Sequence, residues 1–123
     1  MIMASCANAG TVENSTATAI TVAEAKGYHG RAGVEFVDPR PADVIAATTG
    51  KIPGARLISV EDVEAGNLPP VFADKSLHVV TTCMAGPMAR RAATAFAKAG
   101  FGRVNWIEGG TTAWVEAGHP TVR

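Results

Sequence analysis

The chain has 123 residues, of which 47% are hydrophobic and 18% charged, and its 11 basic and 11 acidic residues give a formal net charge of zero. A chain of this length can fold as one domain without cross-links, and its balanced charge argues against binding to nucleic acid or to an anionic membrane. Its two cysteines, Cys6 and Cys83, match no disulfide or zinc-site spacing, so we expect both to be free thiols in a reducing, cytoplasmic environment.

The N-terminal part of the chain predicts a flexible segment over residues 1–18, followed by one domain over residues 19–123. Residues 1–20 contain neither a basic segment nor an apolar run long enough for a secretory signal. The residues that end at Cys6 are similar to a lipoprotein cleavage box, but no hydrophobic stretch precedes them. No part of the sequence approaches the length of a membrane-spanning helix.

Three strands and three helical segments are predicted before residue 76. They are, in order, a strand at 20–22, a helical turn at 23–26 that stops at Gly27, a strand at 33–38, a helix from Pro41 to Gly50, a strand at 56–58 and a helical segment at 61–65. The second helix begins at Pro41, where the missing N–H has no cost, and its inner face is expected to hold Val44, Ile45 and Ala47. Residues 67–70 predict a loop.

The second half of the chain also alternates between predicted strands and predicted helices. Residues 76–81 predict a central strand, since Leu77, Val79 and Val80 are apolar and favour β-structure. A helix at 88–99, a strand at 104–107 and a helix at 111–117 follow. The helix at 88–99 is expected to place four side chains in the core, those of Ala92, Ala93, Phe96 and Ala97. This alternation predicts an α/β domain with a parallel sheet covered on both faces.

Cys83 lies where the predicted central strand ends and the alanine-rich helix has not yet begun. In a parallel sheet this position is at the carboxyl edge, facing backbone N–H groups and the positive end of a helix dipole. We therefore expect the thiol to ionise readily, and the thiolate is the form that attacks sulfur or carbon. Amides of the following loop could hold an anionic intermediate.

Several motifs occur in a fixed order along the chain. They are Val-Asp-Pro-Arg at 37–40, Gly-Lys-Ile-Pro-Gly-Ala at 50–55, Cys83 with Gly86, Ala-Gly-Phe at 99–101, Glu-Gly-Gly at 108–110, Ala-Trp at 113–114 and Gly-His-Pro at 118–120. Together they resemble the single-domain rhodanese family, from about Thr21 to Arg123. The resemblance implies a three-layer domain with a five-stranded parallel sheet flanked by helices. It also implies a sulfurtransferase that carries sulfane sulfur as a cysteine persulfide.

The resemblance also implies roles for particular residues. By position, Cys83 is the catalytic cysteine that carries the persulfide. In the family, the amides of the six residues that start at the cysteine point at the persulfide, so the active, substrate-binding loop comprises Met84, Ala85, Gly86, Pro87, Met88 and the adjoining Ala89. Asp38 and Arg40 match an Asp-x-Arg pair that is structural and lies near the loop. No metal and no cofactor are implied.

The loop departs from the family pattern in its charges. Rhodaneses that use thiosulfate usually have a cation directly after the cysteine, an arginine five positions after it and then a serine or threonine, where this chain has Met84, Met88 and Ala89. A charge-assisted contact contributes roughly 1.5–3 kcal/mol. Losing two such contacts is expected to lower the rate with thiosulfate by about two to four orders of magnitude.

The leading functional hypothesis is therefore a sulfurtransferase with weak thiosulfate activity. Its donor would be a polysulfide, a low-molecular-weight persulfide or a persulfide-bearing protein, and its acceptor a thiophilic molecule, since apolar, polarizable side chains suit sulfur chains. The alternative is a non-catalytic rhodanese-fold binding module that uses the methionine-lined loop as a docking surface.

A third hypothesis is a phosphatase or arsenate reductase, which uses Cys-x5-Arg. Here the sixth residue after Cys83 is Ala89, and Arg90 comes one position later. Arg90 is a candidate anion contact, although a solvated helix face is the more common position for such a residue. Without the arginine at the sixth position, phosphate would lack its bidentate contact.

Overall fold

The computed structural model describes residues 17–123, and this part of the chain contains five strands and five α-helices. In chain order, the elements are β1 (Thr18–Ile20), α1 (Val22–Tyr28), β2 (Val34–Asp38), α2 (Ala42–Ala47), β3 (Arg56–Leu57), α3 (Val60–Ala65), a 3-10 helix (Pro70–Ala73), β4 (His78–Thr81), α4 (Pro87–Lys98), β5 (Arg103–Ile107) and α5 (Gly110–Glu116). All strands are parallel and form one sheet in the order β1-β5-β4-β2-β3. The predicted α/β fold with a five-stranded parallel sheet and a central β4 is confirmed.

The sheet is buried on both faces because successive residues of its inner strands point to opposite sides. Val37 and Val79 belong to one core, and their neighbours Phe36 and Val80 belong to the other. Helices α3 and α4 and the 3-10 helix cover the first face, and α1 and α5 cover the second. The largest fully buried side chains of the two cores are Phe72, Phe96 and Phe101 in the first, and Ile52, Ile107 and Trp114 in the second. The predicted core residues of α4 are all buried.

The first strand and helix differ from the prediction in their boundaries. The Oγ1 of Thr21 accepts the Glu24 N–H at 3.1 Å, and the Glu24 carboxylate accepts the Thr21 N–H at 2.8 Å. This capping box ends the strand before Val22, which is helical, although the sequence predicted a strand through it. Thr18 was predicted to be flexible, but it is the first residue of β1 and pairs with Asn105. Ala17 packs against the first core, and residues 1–16, with Cys6, lie outside the described part of the chain.

Helix α2 is shorter and less buried than predicted. Pro41 precedes the helix, which ends at Ala47 and does not reach Gly50. Only Ile45 is buried, whereas Val44 is 41% exposed. A helix of six residues makes fewer than two turns, so only one side of it can face the sheet. The predicted inner face is therefore wrong for Val44 and Ala47.

The segment around Pro69 and Pro70 was predicted as a loop only. It continues into the 3-10 helix, which places Phe72 in the core against Phe96 and Phe101. Apart from such boundaries, the order of strands and helices agrees with the sequence prediction. Within residues 17–123, none of the helices is both long and apolar enough to cross a membrane.

His78 is a buried titratable side chain at the start of β4, at the end of that strand farther from Cys83 in sequence. Its Nε2 lies 2.6 Å from the Oδ1 of Asn105, while its Nδ1 has no hydrogen-bond partner among the described residues. Burial lowers the pKa of His78, and the hydrogen bond to Asn105 opposes this only in part. The folded protein therefore resists protonation of this ring.

We predict that acidification destabilises the protein in part through His78. An unfolded histidine is protonated as the pH falls through about 6.5, whereas the folded His78 binds its proton only at lower pH, so stability is lost between these two values. Urea unfolding at pH 7.5 and 5.5 should show a larger loss of unfolding free energy for the wild type than for His78→Gln. Equal losses in the two proteins would contradict the prediction.

Candidate active site

Cys83 lies two residues after the end of β4 and four residues before α4 begins at Pro87. The loop of residues 83–88, which we call the Cys83 loop, lies at the carboxyl edge of the sheet beside the central strand. Cys83 is a free cysteine and is only 3% exposed. It lines a surface depression of about 390 Å³. A molecule in this depression would therefore contact Cys83.

Gly86 provides the polar contact to the sulfur. Its backbone N–H donates a hydrogen bond to the Cys83 Sγ, with a nitrogen-to-sulfur distance of 3.0 Å. Gly86 has φ +135°, which disfavours residues with a side chain, and it is the N-cap of α4. No side chain caps this helix and its first turn contains no acidic residue. The partial positive charge at the start of α4 is therefore available to stabilise a negative charge on the sulfur.

The wall of the depression is almost entirely apolar. Its described residues are Arg40, Pro41 and Val44 from the β2–α2 side, and Cys83, Met84, Ala85, Pro87 and Met88 from the loop. Val44, Met84 and Met88 are 41%, 47% and 43% exposed, and all three line this one depression. Their exposure forms an apolar rim around the depression. Of the loop residues predicted to bind substrate, four line it and Gly86 contacts the sulfur.

Arg40 is the only charged residue among the described residues that line the depression. Its Nη2 donates to the Oδ2 of Asp38 at 2.7 Å and its Nε donates to the Oδ1 at 3.0 Å. Further hydrogen bonds, each of 3.3 Å, join the guanidinium to the Thr48 Oγ1 and the Gly50 carbonyl. Both members of the ion pair are buried, at 4% and 0% exposure. Asp38 therefore neutralises this cation, as expected of a structural pair near the loop.

Ala89 and Arg90 are not brought to the depression. Ala89 is fully buried, and its carbonyl accepts a hydrogen bond of 2.6 Å from the Thr81 hydroxyl. The Arg90 guanidinium lies over the Trp106 ring, 5.9 Å from its centre. Arg90 also lines a separate groove between α3 and α4. Sequence reasoning placed Ala89 in the substrate-binding loop and Arg90 near an anion, and the structure supports neither position.

The three histidines make contacts with residues other than those of the Cys83 loop. The His29 Nε2 is 2.8 Å from the Pro53 carbonyl, and the His119 ring packs on Trp114. Together with His78 in β4, they are absent from the described residues that line the depression. No group of described residues has the composition to hold a metal ion. The site therefore offers a thiol, backbone amides and apolar walls as its chemistry.

The sequence analysis missed the contact between α5 and the Cys83 loop. The Thr111 N–H donates to the Cys83 carbonyl at 2.6 Å, and the Thr112 N–H donates to the Met84 carbonyl at 3.1 Å. The Thr82 and Thr111 hydroxyls are 2.8 Å apart and buried. The paired glycines before Thr111 were the available sequence signal, since they allow a close approach of two backbones.

The family model described as the Rhodanese-like domain matches residues 21–117. The chain belongs to the rhodanese-like family. The match covers every element from α1 to α5 and includes the Cys83 loop. The comparison with curated proteins gave no match.

Solved structures are similar to this rhodanese-like domain over most of its length. A protein of unknown function from Rhodopseudomonas palustris, RPA3614, titled a possible tyrosine phosphatase, is 31% identical, with a TM-score of 0.76 over 89% of this chain and 86% of that chain. A rhodanese-related protein from Thermoplasma volcanium is 20% identical, with a TM-score of 0.65 and coverage of 84% and 95%. The rhodanese homolog TT1651 from Thermus thermophilus is 23% identical, with a TM-score of 0.57 and coverage of 77% and 98%. The last two support the fold alone.

We predict that Arg40 stabilises this rhodanese-like domain. Arg40→Met leaves the buried Asp38 carboxylate without its ion-pair partner, so the free energy of unfolding should fall by about 3–5 kcal/mol. Urea unfolding measures this loss. The double variant Asp38→Leu/Arg40→Met removes both charges and should recover much of the stability. If the double variant is no more stable than the single one, an unpaired buried charge is not the cause.

Proposed function

We propose that this protein is a sulfurtransferase that carries sulfane sulfur on Cys83 as a persulfide. The observation that supports this most directly is the hydrogen bond from the Gly86 N–H to the Cys83 Sγ, at the start of α4. Hydrogen bonds and helix dipoles that favour negative charge on sulfur favour both a thiolate and a persulfide anion. Membership of the rhodanese-like family supports the same chemistry.

The transfer requires two exchanges at sulfur. In the first, the Cys83 thiolate attacks the sulfane sulfur of a donor R–S–SH; the new sulfur–sulfur bond forms as the donor's bond breaks, and R–S⁻ leaves with the bonding electron pair. In the second, an acceptor thiolate attacks the outer sulfur, and the Cys83 thiolate is released. No external oxidant or reductant is needed, and an ionised thiol needs little help from a general base. The lack of a histidine among the described residues that line the depression is consistent with this.

The depression favours donors with little charge. A dianionic donor such as thiosulfate would lose water on entering an apolar cavity and would find only Arg40, whose charge is already compensated by Asp38. A polysulfide, a low-molecular-weight persulfide or a persulfide-bearing protein has less charge to compensate. The thioethers of Met84 and Met88 are polarizable and suit contact with sulfur chains. We propose these donors, a thiophilic acceptor and a reducing, cytoplasmic environment for the thiol.

Two other functions give different outcomes in the same experiments. The R. palustris relative is titled a possible tyrosine phosphatase, and such an activity here would need a cation to hold the phosphate. The sixth residue after Cys83 is the buried Ala89, and Arg90 lies over Trp106 instead. A non-catalytic binding module remains the alternative, because the apolar rim of Val44, Met84 and Met88 could contact a partner.

We predict that Cys83 takes up one sulfur atom from a polysulfide. Mass spectrometry of the peptide that contains Cys83, after incubation with inorganic polysulfide and removal of excess donor, should show the mass of one added sulfur. Addition of a low-molecular-weight thiol should return the peptide to its original mass, as expected of transfer to an acceptor.

The matched control is Cys83→Ser, which retains the size of the side chain but cannot form a persulfide. The peptide that contains Cys6 is an internal comparison in both proteins. If wild type shows no added sulfur on Cys83, sulfur transfer is excluded and the binding module is favoured. Turnover of a phosphate monoester that requires Cys83 would support the phosphatase instead.

We also predict that Met88→Arg selectively improves the use of thiosulfate. Met88 lies at the rim of the depression and is exposed, so an arginine there can reach the entering anion without being buried. One charge-assisted contact should raise kcat/KM for thiosulfate by roughly tenfold or more, with little change for polysulfide. Met88→Gln is the uncharged control, and an equal gain in this variant would show that charge is not the limiting factor.

A further inference from the structure

The first turn of α5 donates backbone hydrogen bonds to the Cys83 loop. The carbonyl of Cys83 accepts the Thr111 N–H at 2.6 Å, and the carbonyl of Met84 accepts the Thr112 N–H at 3.1 Å. Both consecutive carbonyls of the loop therefore point at α5. The buried hydrogen bond between the hydroxyls of Thr82 and Thr111, at 2.8 Å, joins the same two segments.

These two bonds determine where the next two amides point. In a trans peptide, the C=O of one residue and the N–H of the next are directed oppositely, and the described chain has no cis peptide bond. The N–H groups of Met84 and Ala85 are therefore directed away from α5. The described residues that line the depression come from the loop and from the β2–α2 side. No described residue of α5 lines the depression, so the side of the loop opposite α5 is the side on which the depression and the Gly86 N–H contact to the sulfur are found.

Gly110 permits this close approach of α5 to the loop. A Cβ atom at residue 110 would lie 2.5 Å from the Cys83 carbonyl oxygen and 2.8 Å from the Met84 carbonyl oxygen. Neither is a movable side-chain atom, so any side chain at this position must displace the loop backbone. Gly110 has φ +64°. Gly118, just beyond the other end of α5, also has a positive φ, of +89°, but a Cβ there would meet nothing within 4 Å.

We propose that Gly110 is a positioning residue for Cys83, because its missing side chain lets the Thr111 and Thr112 amides turn the loop's N–H groups toward the sulfur. The amides of Met84, Ala85 and Gly86 then form a row of donors for the anionic sulfur. Gly110 acts through the backbone of the loop and does not itself touch a substrate. Stabilisation of a persulfide anion by these amides rests on the proposed function. Stabilisation of the Cys83 thiolate does not.

Alkylation of Cys83 by iodoacetamide tests the role of Gly110 without any sulfur donor. At about pH 7, Gly110→Ala should react roughly tenfold more slowly than wild type, because fewer donors favour the thiolate over the thiol. At about pH 10, where free thiols are ionised in any case, the two rates should differ by no more than about twofold. If the substitution instead prevented iodoacetamide from reaching Cys83, the variant would react slowly at both pH values.

Gly118→Ala is the matched control for placing an alanine at positive φ, and its alkylation rate should equal that of wild type at both pH values. Circular dichroism and thermal unfolding establish that each variant is folded. An unchanged rate in a folded Gly110→Ala at pH 7, or an equal decrease in Gly118→Ala, would overturn the proposal. If the alkylation result is as expected but wild type takes no sulfur from polysulfide, the positioning role stands and the proposed function fails.

NMR of the wild type tests the same proposal even if Gly110→Ala does not fold. Raising the pH to ionise Cys83 should shift the amide protons of Met84, Ala85 and Gly86 more than those of Thr111 and Thr112, which remain bonded to carbonyls. Cys83→Ser should abolish these shifts. If only Gly86 responds in wild type, the other two amides do not face the sulfur and the proposal is wrong.

Discussion

The hydrogen bond from the Gly86 N–H to the Cys83 Sγ depends on the sharp path of the chain between β4 and α4. Thr82 is still bonded to the neighbouring strand through the Val37 carbonyl, and Pro87 already begins the helix. The loop between them has to reverse direction while it keeps the sulfur in contact with an amide. Such a path requires φ values that glycine allows, and Gly86, at φ +135°, occupies the bend.

The electrostatics of the site follow from the same short loop. A thiolate can be stabilised by backbone dipoles alone, so the reactive sulfur does not need a cationic side chain. A substrate that brings two negative charges of its own does need one, and the described wall of the depression offers only a cation that Asp38 already compensates. The loop therefore combines a polar floor with apolar walls, and under the proposed function this arrangement favours sulfur donors of low charge over highly charged ones.

Much of the fold was predictable from local patterns. Runs of β-branched residues indicate buried strands, and alanines at helical spacing indicate a helix face that packs on the core. The exceptions have local causes: the Thr21 capping box moved a boundary, and the short α2 left Val44 exposed. The position of Cys83 was predictable because it follows the central strand. The contact of Thr111 with the Cys83 carbonyl was not, since it joins backbone atoms far apart in sequence and only the preceding glycines give any sign of it.

The positions of Ala89 and Arg90 show why a shift of one residue matters in a helix. Successive residues are separated by about 100° around the helix axis, so neighbouring side chains face different surroundings. Ala89, the sixth residue after Cys83, is fully buried, and the arginine one position later lies over the Trp106 ring. An arginine is therefore present in the sequence but absent from the described wall of the depression. On the proposed function, the anionic sulfur of Cys83 is therefore stabilised by backbone amides, because Asp38 compensates the one cation among the described lining residues and Arg90 lies over Trp106.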